Sequence, residues 1–253
     1  MSAPLRLHPL RGLPLVAPGD DLARALAAAA RREGLALARG VLVVCQKVVS
    51  KQEGRIVALA DVEPSEEARR IAAEDGKDPR HVEVILRETA RVVRRGHGVL
   101  ITETRHGFVC ANAGVDLSNA PADGVAVLLP ADPDASARRL RGQLLAQGAA
   151  EPLGVVVSDT FGRAWREGLV DVAIGVAGLR ALADLRGSTD LRGRELTVTV
   201  TATADQLAAA AGLLMAKAAG VPAVWIDGVD DLVAFGDGDS RALLRDARLD
   251  LFR

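Results

Sequence analysis

VLVVC, Val41 to Cys45, is an unbroken apolar run of strand length that passes at once into the polar stretch QKVVSKQEGR, Gln46 to Arg55. Such a run suits a central strand covered on both faces. VAVLLP (Val125 to Pro130), Leu153 to Val157 and PAVWI (Pro222 to Ile226) repeat the pattern, and DVAIGVAG (Asp171 to Gly178) is apolar but broken by glycine. Gly98 to Thr102 and Gly107 to Ala111 predict a pair of strands around Thr104-Arg105-His106. ELTVTVTAT, Glu195 to Thr203, alternates strictly and predicts a half-exposed strand. Leu10 to Val16 is a short apolar segment closed by Pro18-Gly19.

Helical spacing appears between these runs. Leu22, Ala25, Leu26 and Ala29 form one apolar face over Leu22 to Glu33, with Asp20 or Asp21 as cap and Gly34 as stop. Pro64-Ser65-Glu66-Glu67 starts a second helix. A third, from Pro79, carries Val82, Ile85 and Leu86 and runs on to Val92 and Val93. Asp134 to Gln147, Ala204 to Ala218 and Ser240 to Arg248 complete the set. Strands and helices intermix without a β-α-β-α period, which predicts a mixed α/β (α+β) fold rather than a doubly wound sheet. One domain over 1–253 is expected, with subregions of about 1–149 and 150–253.

Composition narrows the function classes. A chain of 253 residues buries roughly three-quarters of its unfolded surface, so its core needs no staples. Aromatics make up only 2%, which disfavours base stacking, and the net charge of −1 gives no overall polyanion-binding surface. Nucleic acid is therefore not an expected partner. Cys45 and Cys110 lie far apart in apolar runs and read as buried free thiols. No run reaches the ~18 apolar residues of a membrane span, and prolines interrupt the N-terminal stretch where a signal core would lie. A soluble, cytoplasmic protein without membrane contact is expected.

Four segments set polar groups at the ends of apolar runs, where a scaffold holds them rigidly. Gln46-Lys47 and Ser50-Lys51 could meet a phosphate, but taken alone the segment reads better as a solvated turn. ETRHGFVCANAGVDLSNA, Glu103 to Ala120, crowds Asn112, Asp116, Ser118 and Asn119 around Gly114. That set suits a hard cation or a phosphate-bearing ligand, and equally a capping and turn cluster. His106 reads as a structural hydrogen-bonder. VVVSDTFGRAWREG, Val155 to Gly168, ends a buried strand in Ser158-Asp159-Thr160, then places Trp165 between Arg163 and Arg166. In a helical turn both guanidinium groups would share a face beside the indole, a cluster for an anionic substrate. The competing reading makes Trp165 a core plug and pairs the arginines with Glu167 and Asp171. ATADQLAAAAG places Asp205 and Gln206 at a helix start, where capping suffices. No common phosphate loop or nucleophile motif is present. The residues alone thus point to an aspartate-held divalent metal with basic groups around a phosphorylated ligand.

QKVVSKQEGR, ETRHGFVCANAGVDLSN and SDTFGRAWREGLVDVAIGVAG, in this order, closely resemble the coenzyme F420-0:L-glutamate ligase (F420 γ-glutamyl ligase) family. The likeness runs from Leu13-Pro14 to the terminal Asp250-Leu251-Phe252-Arg253, and the chain stops before the nitroreductase-like extension of some relatives would begin. The resemblance implies a GTP-dependent ligase. GTP phosphorylates a carboxylate of coenzyme F420-0 or its precursor, the amine of L-glutamate displaces the phosphate, and further glutamates follow through γ-linkages. It implies an F420 ligase-like fold in two subregions, an intertwined homodimer, manganese or magnesium as divalent ion and potassium as an aid. By position it makes Asp116, Asp159 and Thr160 metal ligands, with Gln206 matching a further metal position where a neutral amide is a weaker ligand. Leu13, Pro14, Leu15, Val16, Gln46, Lys51 and Asn119 match nucleotide contacts. Arg163, Trp165 and Arg166 carry no role from the family and are expected at the substrate on their chemistry alone. The alternatives are an aspartate- and metal-dependent phosphohydrolase and a non-catalytic binder of a phosphorylated cofactor.

Overall fold

A computed structural model describes residues 4–251 of the chain; Phe252 and Arg253, at the end of the family likeness, lie outside the described residues. In chain order the elements are β1 (Arg6–Leu10), α1 (Leu22–Arg32), β2 (Ala38–Cys45), α2 (Gln46–Gln52), β3 (Ile56–Ala58), α3 (Glu66–Asp75), α4 (Pro79–Glu88), β4 (Thr89–Gly96), β5 (Val99–Thr104) and β6 (Val109–Ala111). There follow β7 (Val125–Val127), α5 (Pro133–Ala146), β8 (Ala150–Arg163), β9 (Arg166–Ala177), β10 (Ala183–Asp184), β11 (Val200–Thr201), α6 (Thr203–Gly212) and β12 (Ala223–Asp227). The fold is mixed α/β.

The principal sheet has the order β1-β12-β2-β8-β9, and its one parallel pair is β2 with β8. β2 and β8 are apolar on both faces because both faces are covered. Leu42, Val44, Val155 and Val157 pack into the layer that holds residues of α1 and α5. Val41, Val43 and Val156 face the layer that holds residues of α6. Gly40 allows the sheet to close over Trp225: a Cβ there would lie 2.4 Å from the indole and 2.5 Å from the Ile226 carbonyl oxygen. A separate core joins α3 and α4 to Leu100, Val115 and Ala126. The sheet β4-β5-β6 stands beside it.

Several expectations change. The polar segment after β2 is helix α2, not a solvated turn. The helix from Pro79 stops at Glu88, and the stretch with Val92 and Val93 is strand β4. The threonine and paired valines there are stiff at χ1 and favour a pleated surface. The alternation over Glu195 to Thr203 yields only Val200–Thr201, paired with β10, and Val198 is exposed. Period two makes a strand only where a partner and a buried face exist. Helix α6 ends at Gly212 rather than Ala218, and the expected last helix is two short 3-10 turns, Ser240–Leu243 and Ala247–Leu249. Among the described residues no helix is long and apolar enough to cross a membrane.

Candidate functional site

Because β2 and β8 run parallel and adjacent, their C-terminal ends lie side by side, with Cys45 opposite Ser158. Each end passes into polar residues at the same edge of the sheet. From β2 the chain enters α2 without a loop, so Lys47 and Lys51, four apart, share one helix face. From β8 it continues to Asp159 and Thr160, and the antiparallel register sets Thr160 opposite Asp171 of β9. These groups line a cavity of about 600 Å³. Its wall also includes Leu13 to Pro18, which follow β1, and the loop from Met215 to Lys217 beyond α6.

Asp116 reaches the cavity from a third direction. Asn112, Ala113 and Gly114 turn the chain after β6 with positive φ. At Gly114 a Cβ would meet the Leu129 side chain at 2.7 Å, so the turn admits no larger residue without a shift. Asp116 then bridges to Val127 and receives the Ser118 amide at 2.7 Å and the Ser118 hydroxyl at 3.0 Å. Lys47 Nζ lies 2.6 Å from Asp116 Oδ2 and donates to the Ser118 hydroxyl and carbonyl oxygens. Asn119, also on the wall, donates to the Lys217 carbonyl at 3.3 Å and ties the two loops together.

The two aspartates differ electrostatically. Burial works to raise the Asp116 carboxyl, but the hydrogen bonds from Lys47 and Ser118 outweigh it and hold the group below its ordinary range. For Asp159, burial pushes the carboxyl up to about 7. The charges of Asp116 and Asp171 add to that rise, against the Thr160 amide and Lys47. Lys51 is lowered by burial and by Lys47. Thr160 Oγ1 donates to Asp171 Oδ1 at 2.6 Å.

The cavity gathers Leu13, Pro14, Leu15, Val16, Lys51, Asp116, Asn119, Asp159 and Thr160. Gln46 is buried just behind this wall, with Oε1 accepting from Ser50 at 2.8 Å and Nε2 unpartnered. Gln206 is exposed on α6 and does not line the cavity. Its neighbour Asp205 accepts the Ala173 amide at 2.9 Å, so the carboxylate pins α6 to β9. Arg163, Trp165 and Arg166 also lie outside it. They form the tip of the β8-β9 hairpin, not a helical turn, with Arg163 opposite Arg166 across the strands. Trp165, at positive φ, is 81% exposed and plugs no core. Arg163 donates to the Glu167 carbonyl rather than to a carboxylate. His106 acts as a structural group, with Nε2 at 2.9 Å from the Pro130 carbonyl oxygen. Cys110 is buried, its thiol pushed up to about 12, and burial raises Cys45 as well.

By sequence Lys47 reads only as part of a solvated turn, Asp171 only as a partner for the arginines, and Lys217 is not singled out. For Lys47 the usable signal is K-x-x-x-K directly after a buried strand, which becomes one helix face once the segment is helical. Asp171 becomes legible once Gly162 to Gly168 is read as a hairpin turn.

The donors at the cavity are oxygens from two carboxylates and a hydroxyl, with a third carboxylate at hand, and they suit a hard divalent ion. Among the described residues no three of histidine, cysteine, aspartate and glutamate converge closely enough to hold a metal alone.

Comparison with known proteins identifies the family. The family model described as F420-0:gamma-glutamyl ligase matches residues 12–228. A protein of Methanothermobacter thermautotrophicus named coenzyme F420:L-glutamate ligase is 48% identical over 246 residues, covering 96% of this chain and 97% of its own length. Proteins of the same name from Methanopyrus kandleri and Archaeoglobus fulgidus are 48% and 41% identical, covering 98% of this chain in each case and 98% and 96% of their own lengths. With the family match extending over most of its length, the chain belongs to the F420-0:gamma-glutamyl ligase family.

Proposed function

We propose that this chain joins L-glutamate to coenzyme F420-0 or a closely related acceptor at the expense of GTP, through an acyl phosphate, and adds further glutamates by γ-linkages. The observation that carries the reading is the convergence of Lys47, Lys51, Asp116, Asp159 and Thr160 on one cavity. In a ligase of this class the γ-phosphoryl group passes to an acceptor carboxylate and GDP leaves. The glutamate amine then attacks the carbonyl carbon, loses a proton and expels phosphate. Such transfer depends on positioning and charge neutralisation more than on a protein nucleophile.

In this reading Asp116, Asp159 and Thr160 hold Mg²⁺ or Mn²⁺, which neutralises phosphate charge when bound. Lys47 and Lys51 present two ammonium groups from one helix face to the phosphates. Leu13 to Val16 and Asn119 border the nucleotide, and buried Gln46 supports that wall. Potassium as an aid and Gln206 as a further metal position follow from the family likeness alone. We also propose a homodimer and a cytoplasmic location. The hairpin tip supports pairing, because residues 162–169 are all exposed and include the apolar Trp165 and Leu169. Substrate contact by Arg163, Trp165 and Arg166 would be made from that tip.

Incubation of the purified protein with GTP, Mn²⁺, F420-0 and L-glutamate tests the reaction. The ligase yields GDP and an acceptor heavier by glutamate residues, only when all components are present. Phosphate release without glutamate indicates a hydrolase, and binding without turnover indicates a non-catalytic module. Lys51→Ala is expected to weaken GTP binding about tenfold by calorimetry, equivalent to ~1.4 kcal/mol. An unchanged affinity removes Lys51 from the nucleotide site.

A further inference from the structure

Asp171 does not belong to the ligand set implied by family likeness, yet it is built into the cavity with care. It stands directly across the β8-β9 ladder from Thr160, and both residues line the cavity. Thr160 Oγ1 donates its one proton to Asp171 Oδ1 at 2.6 Å. A threonine hydroxyl has one donor and two lone pairs. Once the proton is committed to Asp171, the hydroxyl can only accept from anything else it meets. It then favours a cation and disfavours the lone pairs of an anionic oxygen.

The far side of Asp171 is also shaped. Gly212, the last residue of α6, leaves room for the second carboxylate oxygen, and a Cβ there would come within 2.5 Å of Asp171 Oδ2. Gly212 does not have positive φ, so the fit to Asp171 is the constraint at that position rather than backbone conformation. Together α6 and the ladder fix the carboxylate against Thr160.

We infer that Asp171 is a positioning residue that locks the Thr160 hydroxyl as an acceptor and thereby sets the cavity's affinity for a divalent cation. The inference rests on the reading of Asp159 and Thr160 as cation ligands. Partners that orient a ligand in this way commonly alter metal affinity 10- to 100-fold when removed.

The test is Mn²⁺ binding to the nucleotide-free protein, read from the free-ion electron paramagnetic resonance signal and so independent of turnover. Asp171→Ala, which removes the acceptor, and Thr160→Val are each expected to weaken Mn²⁺ at least tenfold. The double variant should be no weaker than Thr160→Val, because Asp171 acts through that hydroxyl. Thr160→Ser should bind like the parent. Gly212→Ala keeps every charge but displaces the carboxylate, and is expected to weaken Mn²⁺ in the same direction with an unchanged circular dichroism spectrum. Asp171→Ala binding within twofold of the parent overturns the inference, and so do effects of the two single variants that add in full. If the parent binds Mn²⁺ and Thr160→Val weakens it while Asp171→Ala does not, the positioning role alone fails. If the parent binds no Mn²⁺, or Asp159→Asn binds it as the parent does, the cation reading fails and the positioning role with it.

Discussion

Asp159→Asn is expected to abolish glutamate transfer and, at the same time, to make the metal-free protein more stable than the parent above pH 7. The carboxyl sits near 7 in the folded chain, mainly through burial, against an ordinary value of about 3.9 unfolded. Below about pH 4 both states carry the proton and the residue makes no difference. As pH rises from about 4 to 7 the unfolded chain releases the proton and the folded chain retains it, so folded stability falls over that window. Above about pH 7 the full cost is present. Three pKa units correspond to at most about 4 kcal/mol, less whatever relaxation and the coupled carboxylates absorb.

Asparagine keeps the shape and can still accept the Thr160 amide, without the buried charge. At pH 8 the variant should therefore melt several degrees above the parent, and near pH 4 the two should coincide. Mn²⁺ should raise the parent's midpoint by mass action and leave the variant's nearly unmoved. Equal melting at pH 8, or retained ligation, contradicts the assignment. On the proposed reading, folded stability is given up for a carboxylate that a cation can use.

Lys47→Met is expected to be the second severe change. The Lys47 side chain is 14% exposed, and its ammonium joins Asp116 to both oxygens of Ser118. Methionine retains much of the stem but leaves Asp116, Asp159 and Asp171 facing one another without the nearest positive charge. Removing one partner of a largely buried pair commonly costs ~3–5 kcal/mol. Asp116 is partly open to solvent, so about 2–3 kcal/mol is expected at pH 8 in urea unfolding. The deficit should shrink toward pH 5. Asp116 loses the hydrogen bond that holds its carboxyl low, so it takes up a proton more readily and the repulsion declines. Turnover should fall at least 100-fold, the scale seen when one preorganised donor to a developing charge is removed. A variant with parental turnover would show that the ammonium serves only the fold.

The strands and the site were legible in unequal degree. β2, β8 and β12 could be read from apolar runs because both faces are buried, and burial on both faces leaves no polar alternation to mislead. The overrun of α4 and the loss of the strand over Glu195 to Thr203 have a common cause. Each depends on whether a neighbouring surface covers the segment, which periodicity does not encode. Trp165 illustrates the same point: it sits neither in a helical turn nor in a core, because the β8-β9 hairpin carries it away from the sheet.

What the chain alone determined is chemical: oxygen donors at Asp116, Asp159 and Thr160, lysines after an apolar strand, and three long motifs that carry the family likeness. Parallel pairing of β2 with β8 decided that two of those motifs begin side by side. The turn through Asn112 to Gly114 and its bridge to Val127 positioned the third, with Lys47 joining Asp116 across the cavity. Tertiary structure alone decided the partnership of Thr160 with Asp171 and the exclusion of Gln206 and the arginine pair from the cavity wall. The physical reason is that residue type fixes which charges and lone pairs exist, whereas their energies depend on distance and burial. Those quantities arise only when segments far apart in sequence close around the same space.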